Sequence, residues 1–324
     1  MLPFWAIDEP KPGPKWQALF HRLWPAYRRW YLRDSLLDRP TYLECRRALR
    51  AHMPELAPAY EELVAFAGGG DVEARFLSHY RPPAYLTGCS QAIWPGEPPM
   101  LVRNYDYSAD LFDAVLLKTR WLGREVMGMS DGMIGLVDGQ NDAGLCASLT
   151  FGGSRAVGDG FGVPIIMRYV LEICETAKEA AFALARIPSH MAYNVTVLDK
   201  AGGHATVYLG PGREAVITHA AVATNHQENV SWRRHARITA TVERERFLLQ
   251  RLTLHEEPAE EFIAAFLKPP LYSLAFARGF GTLYTAVYWP LSGDARYAWP
   301  GAAWVQSLSA FREGMIEVGY PGPA

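Results

Sequence analysis

Cys89 stands between Gly88 and Ser90 in the stretch LTGCSQAIW, where a helix-like segment ends and strand-like sequence begins. A thiol there has two readings. It is one more small apolar residue, since free cysteine is among the most buried residue types and usually inert, or it is a nucleophile that acts as its thiolate. Downstream, Val102 to Tyr107 reads as a strand yet holds Arg103, Asn104 and Asp106. Strands disfavour Asn and Asp, so something else must hold them. Alternation sets Arg103 and Tyr105 on one face and Asn104 and Asp106 on the other, although a bend would bring Arg103 and Asp106 together. The plain alternative is a salt-bridged strand end. Asn225, in Ala223-Thr224-Asn225-His226, ends an apolar stretch with an amide able to donate a hydrogen bond, or is a turn residue. Arg278, before Gly279, is equally open to two readings.

Other motifs carry less. Gly158, Gly160 and Gly162 do not reproduce the spacing of a dinucleotide loop and read as a flexible loop entering a helix. His219 and His226 have no third ligand near them in sequence, so a metal site is the minority reading. Glu256, Glu257, Glu260 and Glu261 gather where a helix is expected to start, as the macrodipole favours.

The elements that must position these residues fall into two textures. Residues 1–88 are rich in Arg, Trp and Tyr, with Trp16, Phe20, Trp24, Tyr27 and Tyr31 at helical spacing, and further helices are expected over Tyr42 to Ala51, Pro54 to Ala67 and up to about Tyr80. Their aromatic faces are expected to pack on the rest of the protein rather than on a membrane. Residues 89–324 alternate strand sets with helix pairs: strands up to Phe151, helices over Val163 to Glu175 and Ala177 to Ala185 with Thr176 as a cap, and strands again from Tyr193. Helices are then expected over Arg237 to Leu252 and Ala259 to Phe266, before closing strands up to Trp299. Segregated runs of this kind predict α+β layers, two sheets face to face with helices outside.

With Lys+Arg 32 against Asp+Glu 34 and 49% hydrophobic residues in 324, composition excludes disorder and gives no sign of a nucleic-acid-binding surface. No apolar run approaches the roughly 18 residues a membrane span requires, and no signal peptide is apparent at the start, so a cytoplasmic protein is expected. Cys45, Cys89, Cys146 and Cys174 are too widely spaced for metal knuckles and too few to staple the chain.

Taken together in order, Gly88-Cys89-Ser90, RNYDY, GMIGLVDGQNDAGLCASLTFGG, GVPIIMRYVLE, ATNH and ARGFGTLYTAVY resemble the acyl-coenzyme A:6-aminopenicillanate acyltransferase (isopenicillin N acyltransferase) family over most of residues 54–290, and more distantly the choloylglycine hydrolases. The resemblance implies an N-terminal nucleophile hydrolase with a four-layer αββα sandwich, preceded by a helical pro-segment (1–88) that is cut from the catalytic domain (89–324) at Gly88-Cys89. It implies that Cys89 is nucleophile and future N-terminus, that Gly88 permits a distorted backbone, that Asp106 orients the new α-amine, that Arg103 favours thiolate, that Asn225 donates to the oxyanion, and that Arg278 is the site's second arginine. Thr150 departs from the choloylglycine hydrolases, which tend to carry Asn there. The implied activity is hydrolysis of a linear amide through an acyl-enzyme thioester, needing neither cofactor nor metal. The alternatives are acyl-coenzyme A-dependent N-acyl transfer or an uncleaved, non-catalytic scaffold. Expected partners are a small-molecule amide or acyl-thioester and a pro-segment that stays bound or leaves. Neither nucleic acid nor membrane is expected, and the oligomeric state is open.

Overall fold

The computed structural model describes residues 1–253 and 257–320, so Glu256 of the acidic run and the last four residues of the 89–324 unit lie outside the described residues. The chain opens with β1 (Leu2–Asp8) and four helices, α1 (Pro14–Tyr31), α2 (Tyr42–His52), α3 (Ala57–Phe66) and α4 (Asp71–Leu77). Six strands follow: β2 (Gly88–Trp94), β3 (Met100–Tyr107), β4 (Val115–Thr119), β5 (Val126–Asp131), β6 (Gly135–Asn141) and β7 (Leu145–Phe151). Then come α5 (Val163–Ile173), α6 (Ala177–Arg186), β8 (Tyr193–Asp199), β9 (His204–Leu209), β10 (Val216–Thr218) and β11 (Val222–Ala223). The last third holds α7 (Arg233–Ile238), α8 (Thr241–Leu252), α9 (Ala259–Phe266), β12 (Leu274–Ala275), β13 (Phe280–Trp289), β14 (Asp294–Trp299), β15 (Ala302–Ser307) and β16 (Gly314–Val318).

Local chemistry explains several boundaries. Pro14 opens α1, where its missing N–H costs nothing. A capping box of Thr41 and Glu44 starts α2, and Thr176 caps α6 by accepting from the Glu179 amide at 3.2 Å, as expected. Gly68 and Gly69, at φ 98° and 71°, turn the chain after α3, and Gly70 is the cap of α4. The helix expected over Arg237 to Leu252 is two, broken at Ala240 with φ 47°.

Nine strands form one sheet in the order β10-β9-β8-β7-β6-β5-β4-β1-β16, and the second sheet runs β11-β2-β3-β13-β14-β15 with β12 paired to β13. The sheets pack face to face through β2 and β3 against β7 and β13 against β6; α5 and α6 cover the outer face of the first, and α8 and α9 that of the second. The result is an αββα sandwich. Strands β3, β5, β6, β7 and β8 are buried along their whole length because both faces of their sheet are covered. Among the described residues no helix is long and apolar enough to cross a membrane.

Residues 1–88 differ from the helical segment expected. Their helices do pack inward, with Trp16, Phe20, Tyr27 and Tyr31 buried, but β1 enters the nine-stranded sheet, parallel to β4 and antiparallel to β16. The pairing partners of β1 lie a hundred residues and more along the chain, and local pattern does not report such contacts.

Candidate active site

Strand pairing places Gly88 opposite Asp106 and Cys89 opposite Tyr105 on β2 and β3. Alternation then distributes the site to both sides of this hairpin. Cys89, Arg103 and Tyr105 face the other sheet, and Ser90, Asn104 and Asp106 face the outer helices. Arg103 and Asp106 therefore do not converge through a bend.

Arg103 is wholly buried. Its Nη2 donates to Cys89 Sγ at 3.4 Å, its Nε donates to the Leu149 carbonyl at 2.9 Å, and its Nη1 forms a short ion pair with Asp138. Asp138 also accepts from the Tyr284 hydroxyl at 2.6 Å and from that of Tyr288, so the charges are paired and the carboxylate is saturated with donors. This cluster fixes the guanidinium beside the sulfur. Burial pushes the Cys89 thiol up, the Asp106 charge adds to that, and Arg103 opposes both. The Cys89 S–H group also faces Thr87 Oγ1 at 3.7 Å.

On the other side, Asp106 accepts from Thr282 Oγ1 at 2.7 Å and from Arg244 Nη1 at 3.1 Å. Burial raises its carboxyl pKa despite Arg244. Arg244, on α8, donates also to the Cys89 carbonyl at 3.0 Å, to Ser90 Oγ at 2.8 Å and to Asn225 Oδ1 at 2.5 Å. Asn225 Oδ1 in turn accepts the Cys89 backbone N–H at 3.0 Å, while its Nδ2 donates to the Phe151 carbonyl at 3.3 Å. The backbone N–H of Asn225 is held by Thr241 Oγ1 at 2.6 Å. Thr150 makes no hydrogen bond to Cys89: its hydroxyl donates to the Thr224 carbonyl at 2.7 Å and accepts from Asn194 at 3.0 Å, bracing the loop that carries Asn225.

Four of the expected side chains thus meet, Cys89, Arg103, Asp106 and Asn225. Arg278 does not. It is exposed in a short turn, Phe276–Arg278, ahead of β13, and the second arginine in contact with the site is Arg244. In Thr-Val-Glu-Arg-Glu-Arg, Arg244 reads as a solvated helix face; only the docking of α8 on β2 buries it. His226, weighed as a metal ligand, meets Glu245 at 3.2 Å and Thr241 Oγ1 at 2.9 Å. Gly88 lies in ordinary strand rather than distorted backbone, and a Cβ there would press on Asp106, 3.0 Å from its Cβ and 3.3 Å from its Oδ2.

A thiol with a guanidinium at its sulfur, a carboxamide at its own backbone nitrogen and a carboxylate–arginine pair behind that nitrogen is equipped for acyl transfer at sulfur. Residues 94–304 match the sequence model of the family described as acyl-coenzyme A:6-aminopenicillanic acid acyl-transferase. The chain belongs to that family. The family's description is that of an acyltransferase. No curated protein sequence matches the chain significantly. Among solved structures, penicillin V acylase from Agrobacterium tumefaciens shares 17% identity over 68% of this chain and 86% of its own, with a TM-score of 0.47. The Caenorhabditis elegans ortholog of N-acylethanolamine-hydrolyzing acid amidase shares 14% over 72% of this chain and 100% of its own, at 0.47. A mutant form of conjugated bile acid hydrolase from Clostridium perfringens shares 14% over 71% and 97%, at 0.44.

Proposed function

We propose that this member of the acyltransferase family is a self-processing cysteine amidohydrolase that cuts a linear, non-peptide amide through a thioester on Cys89. One observation carries the reading: the Cys89 sulfur lies 3.4 Å from the Arg103 guanidinium while its own backbone N–H is bound by Asn225 Oδ1 at 3.0 Å, so nucleophile and prospective α-amine are both held by dedicated side chains.

In the maturation step the Cys89 sulfur adds to the Gly88 carbonyl carbon, the C–N bond breaks, and the nitrogen takes up a proton to become the α-amine. Water then hydrolyses the Gly88 thioester, freeing a carboxylate and the thiol. In turnover the α-amine, with an ordinary pKa of about 7.7 to 8.0, takes the thiol proton. The thiolate adds to the substrate carbonyl, the amine leaves with that proton, and water releases the acid. Asp106 and Arg244 hold the nitrogen's surroundings. Asn225 serves the oxyanion by giving up its 3.3 Å bond to Phe151, the weakest contact it makes, and such a donor is worth about 100-fold to 1000-fold in rate.

The family description supports a second reading in which an acyl-coenzyme A thioester charges Cys89 and an amine replaces water. Adding an acyl-coenzyme A with an amine acceptor separates the two by whether amide or only free acid forms. Four cysteines without disulfides suit a reducing, cytoplasmic setting. Denatured intact mass spectrometry tests the whole: chains Met1 to Gly88 and Cys89 to Ala324 are expected, and a single 36.2 kDa chain without thiol labelling by an acyl analogue would return the protein to a non-catalytic scaffold.

A further inference from the structure

Asp131, at the end of β5, is a buried carboxyl lacking a full set of partners. It shares one hydroxyl with Asp113: Tyr27 OH lies 2.5 Å from Asp113 Oδ1 and 3.2 Å from Asp131 Oδ1. That hydroxyl has one hydrogen, and the closer Asp113 takes it. Asp113 is otherwise satisfied by Ser130 Oγ at 2.6 Å and the Met133 amide at 2.9 Å. The Gly132 amide, which also bears on Asp131, donates to the Tyr27 oxygen at 3.2 Å. Among the described residues neither carboxyl forms an ion pair, although Asp131 is only 7% exposed.

Asp131 lines a crevice between residues 1–88 and the catalytic domain, walled by Tyr27, Trp30, Phe76, Tyr85 and Tyr107. The crevice spans about 420 Å³ with its mouth, room for a primary ammonium head. Aromatic faces attract cations, and a buried carboxylate without a cation is the counter-ion such a group needs.

Packed aromatics join the crevice to Cys89. Tyr107 packs on Tyr105 with ring centroids 5.7 Å apart, and Tyr105 pairs with Cys89. Tyr85 sits three residues before Gly88, whose carbonyl is the acyl group in the maturation step, so the chain that precedes the cut traces the path a substrate's acyl group would take.

We propose that the crevice seats the terminal primary ammonium of an ω-amino acyl group, with Asp131 as its counter-ion and Trp30, Tyr85 and Tyr107 as its walls. Its acyl assignment rests on the Cys89 reading; cation binding does not. Three extended residues span roughly 10 Å, so a 6-aminohexanoyl group is a fitting probe.

The test has two arms, both at pH 9 on the whole protein as it matures, with residues 1–88 retained. That pH is above Asp131, which burial and then Asp113 push up to about 8, and below the roughly 10.4 of a free alkylamine. In the first arm calorimetry compares n-hexylammonium with 1-hexanol. At least tenfold tighter binding of the cation is expected, with the preference abolished in Asp131→Asn; equal binding, or a preference that survives in Asp131→Asn, overturns the site. Should Asp131→Asn not fold, Trp30→Leu replaces it, with cation affinity expected to fall at least fivefold and an unchanged affinity counting against the site. In the second arm 6-aminohexanoyl and hexanoyl p-nitroanilides are compared by kcat/KM, with at least a tenfold preference expected for the first. Cation binding with neither anilide cleaved leaves the crevice standing and sinks the Cys89 reading. Both cleaved equally removes the acyl assignment.

Discussion

Arg244 and Asp106 face each other at 3.1 Å behind the Gly88–Cys89 junction, and the same guanidinium reaches Asn225 Oδ1 and the Cys89 carbonyl. One arginine on α8 therefore ties together the carboxylate, the carboxamide and the backbone of Cys89. Breaking a buried pair by removing one partner costs about 3 to 5 kcal/mol. Arg244→Met is expected to be destabilised by about that much in urea titration and to lose processing. The double variant Asp106→Asn with Arg244→Met should recover part of the stability and none of the activity. Arg278→Ala, out in solvent, should process and turn over normally; a large loss there would return the second-arginine role to Arg278.

Cys89→Ala should remain full length and inactive, and Cys89→Ser should cleave slowly, because the hydroxyl is a weaker nucleophile in the same place. Mass spectra over hours distinguish the two. Amidase activity in Cys89→Ala would end the nucleophile assignment.

Gly88→Ala brings a methyl to 3.0 Å from Asp106 Cβ. The two strands must part slightly, shifting the Gly88 carbonyl against the sulfur. Processing at least tenfold slower than wild type is expected, with far-UV circular dichroism unchanged.

Strand β1 predicts the fate of residues 1–88 after a cut. It is hydrogen-bonded on both edges, to β4 and β16, and Leu19 of α1 packs in a cluster with Trp5 and Ile7 of β1. The two chains should co-elute on native size exclusion and separate only in denaturant. Free elution of the small chain would show that the sheet opens once the bond is broken.

A pH effect on stability follows from Asp131, with its sign set by linkage. Its carboxyl is raised from an unfolded value of about 3.9 to about 8 by burial and then Asp113. Between those values the folded state holds more protons than the unfolded one, so stability from this group falls as pH rises from about 4 to about 8 and is level beyond. Asp131→Asn should flatten that part of the profile and be the more stable chain at pH 8 in thermal melts. A parallel profile would place the lost proton elsewhere.

How much of this was legible beforehand can be judged from single elements. The alternation of Arg103 and Tyr105 against Asn104 and Asp106 followed from strand periodicity and held, since every side chain on β3 is buried against one layer or the other. The strand over Tyr193 to Asp199 and the helix over Ala259 to Phe266 stand where pattern put them. Strands β1, β15 and β16 carried no comparable signal: β15 and β16 are largely exposed, and β1 is half-buried and has a proline near its start, so their existence depends on the partners they meet.

Sequence by itself determined the layer pattern, the chemistry available at Cys89, Arg103, Asp106 and Asn225, and the family, because side-chain type and local period are properties of short stretches. Only the tertiary structure decided that Arg244 rather than Arg278 reaches the site, that Gly88 lies against Asp106, and that Asp131 faces an aromatic crevice with no ion-pair partner among the described residues. Each of those depends on which surfaces are pressed together and dried, and burial of that kind arises between segments far apart in the chain.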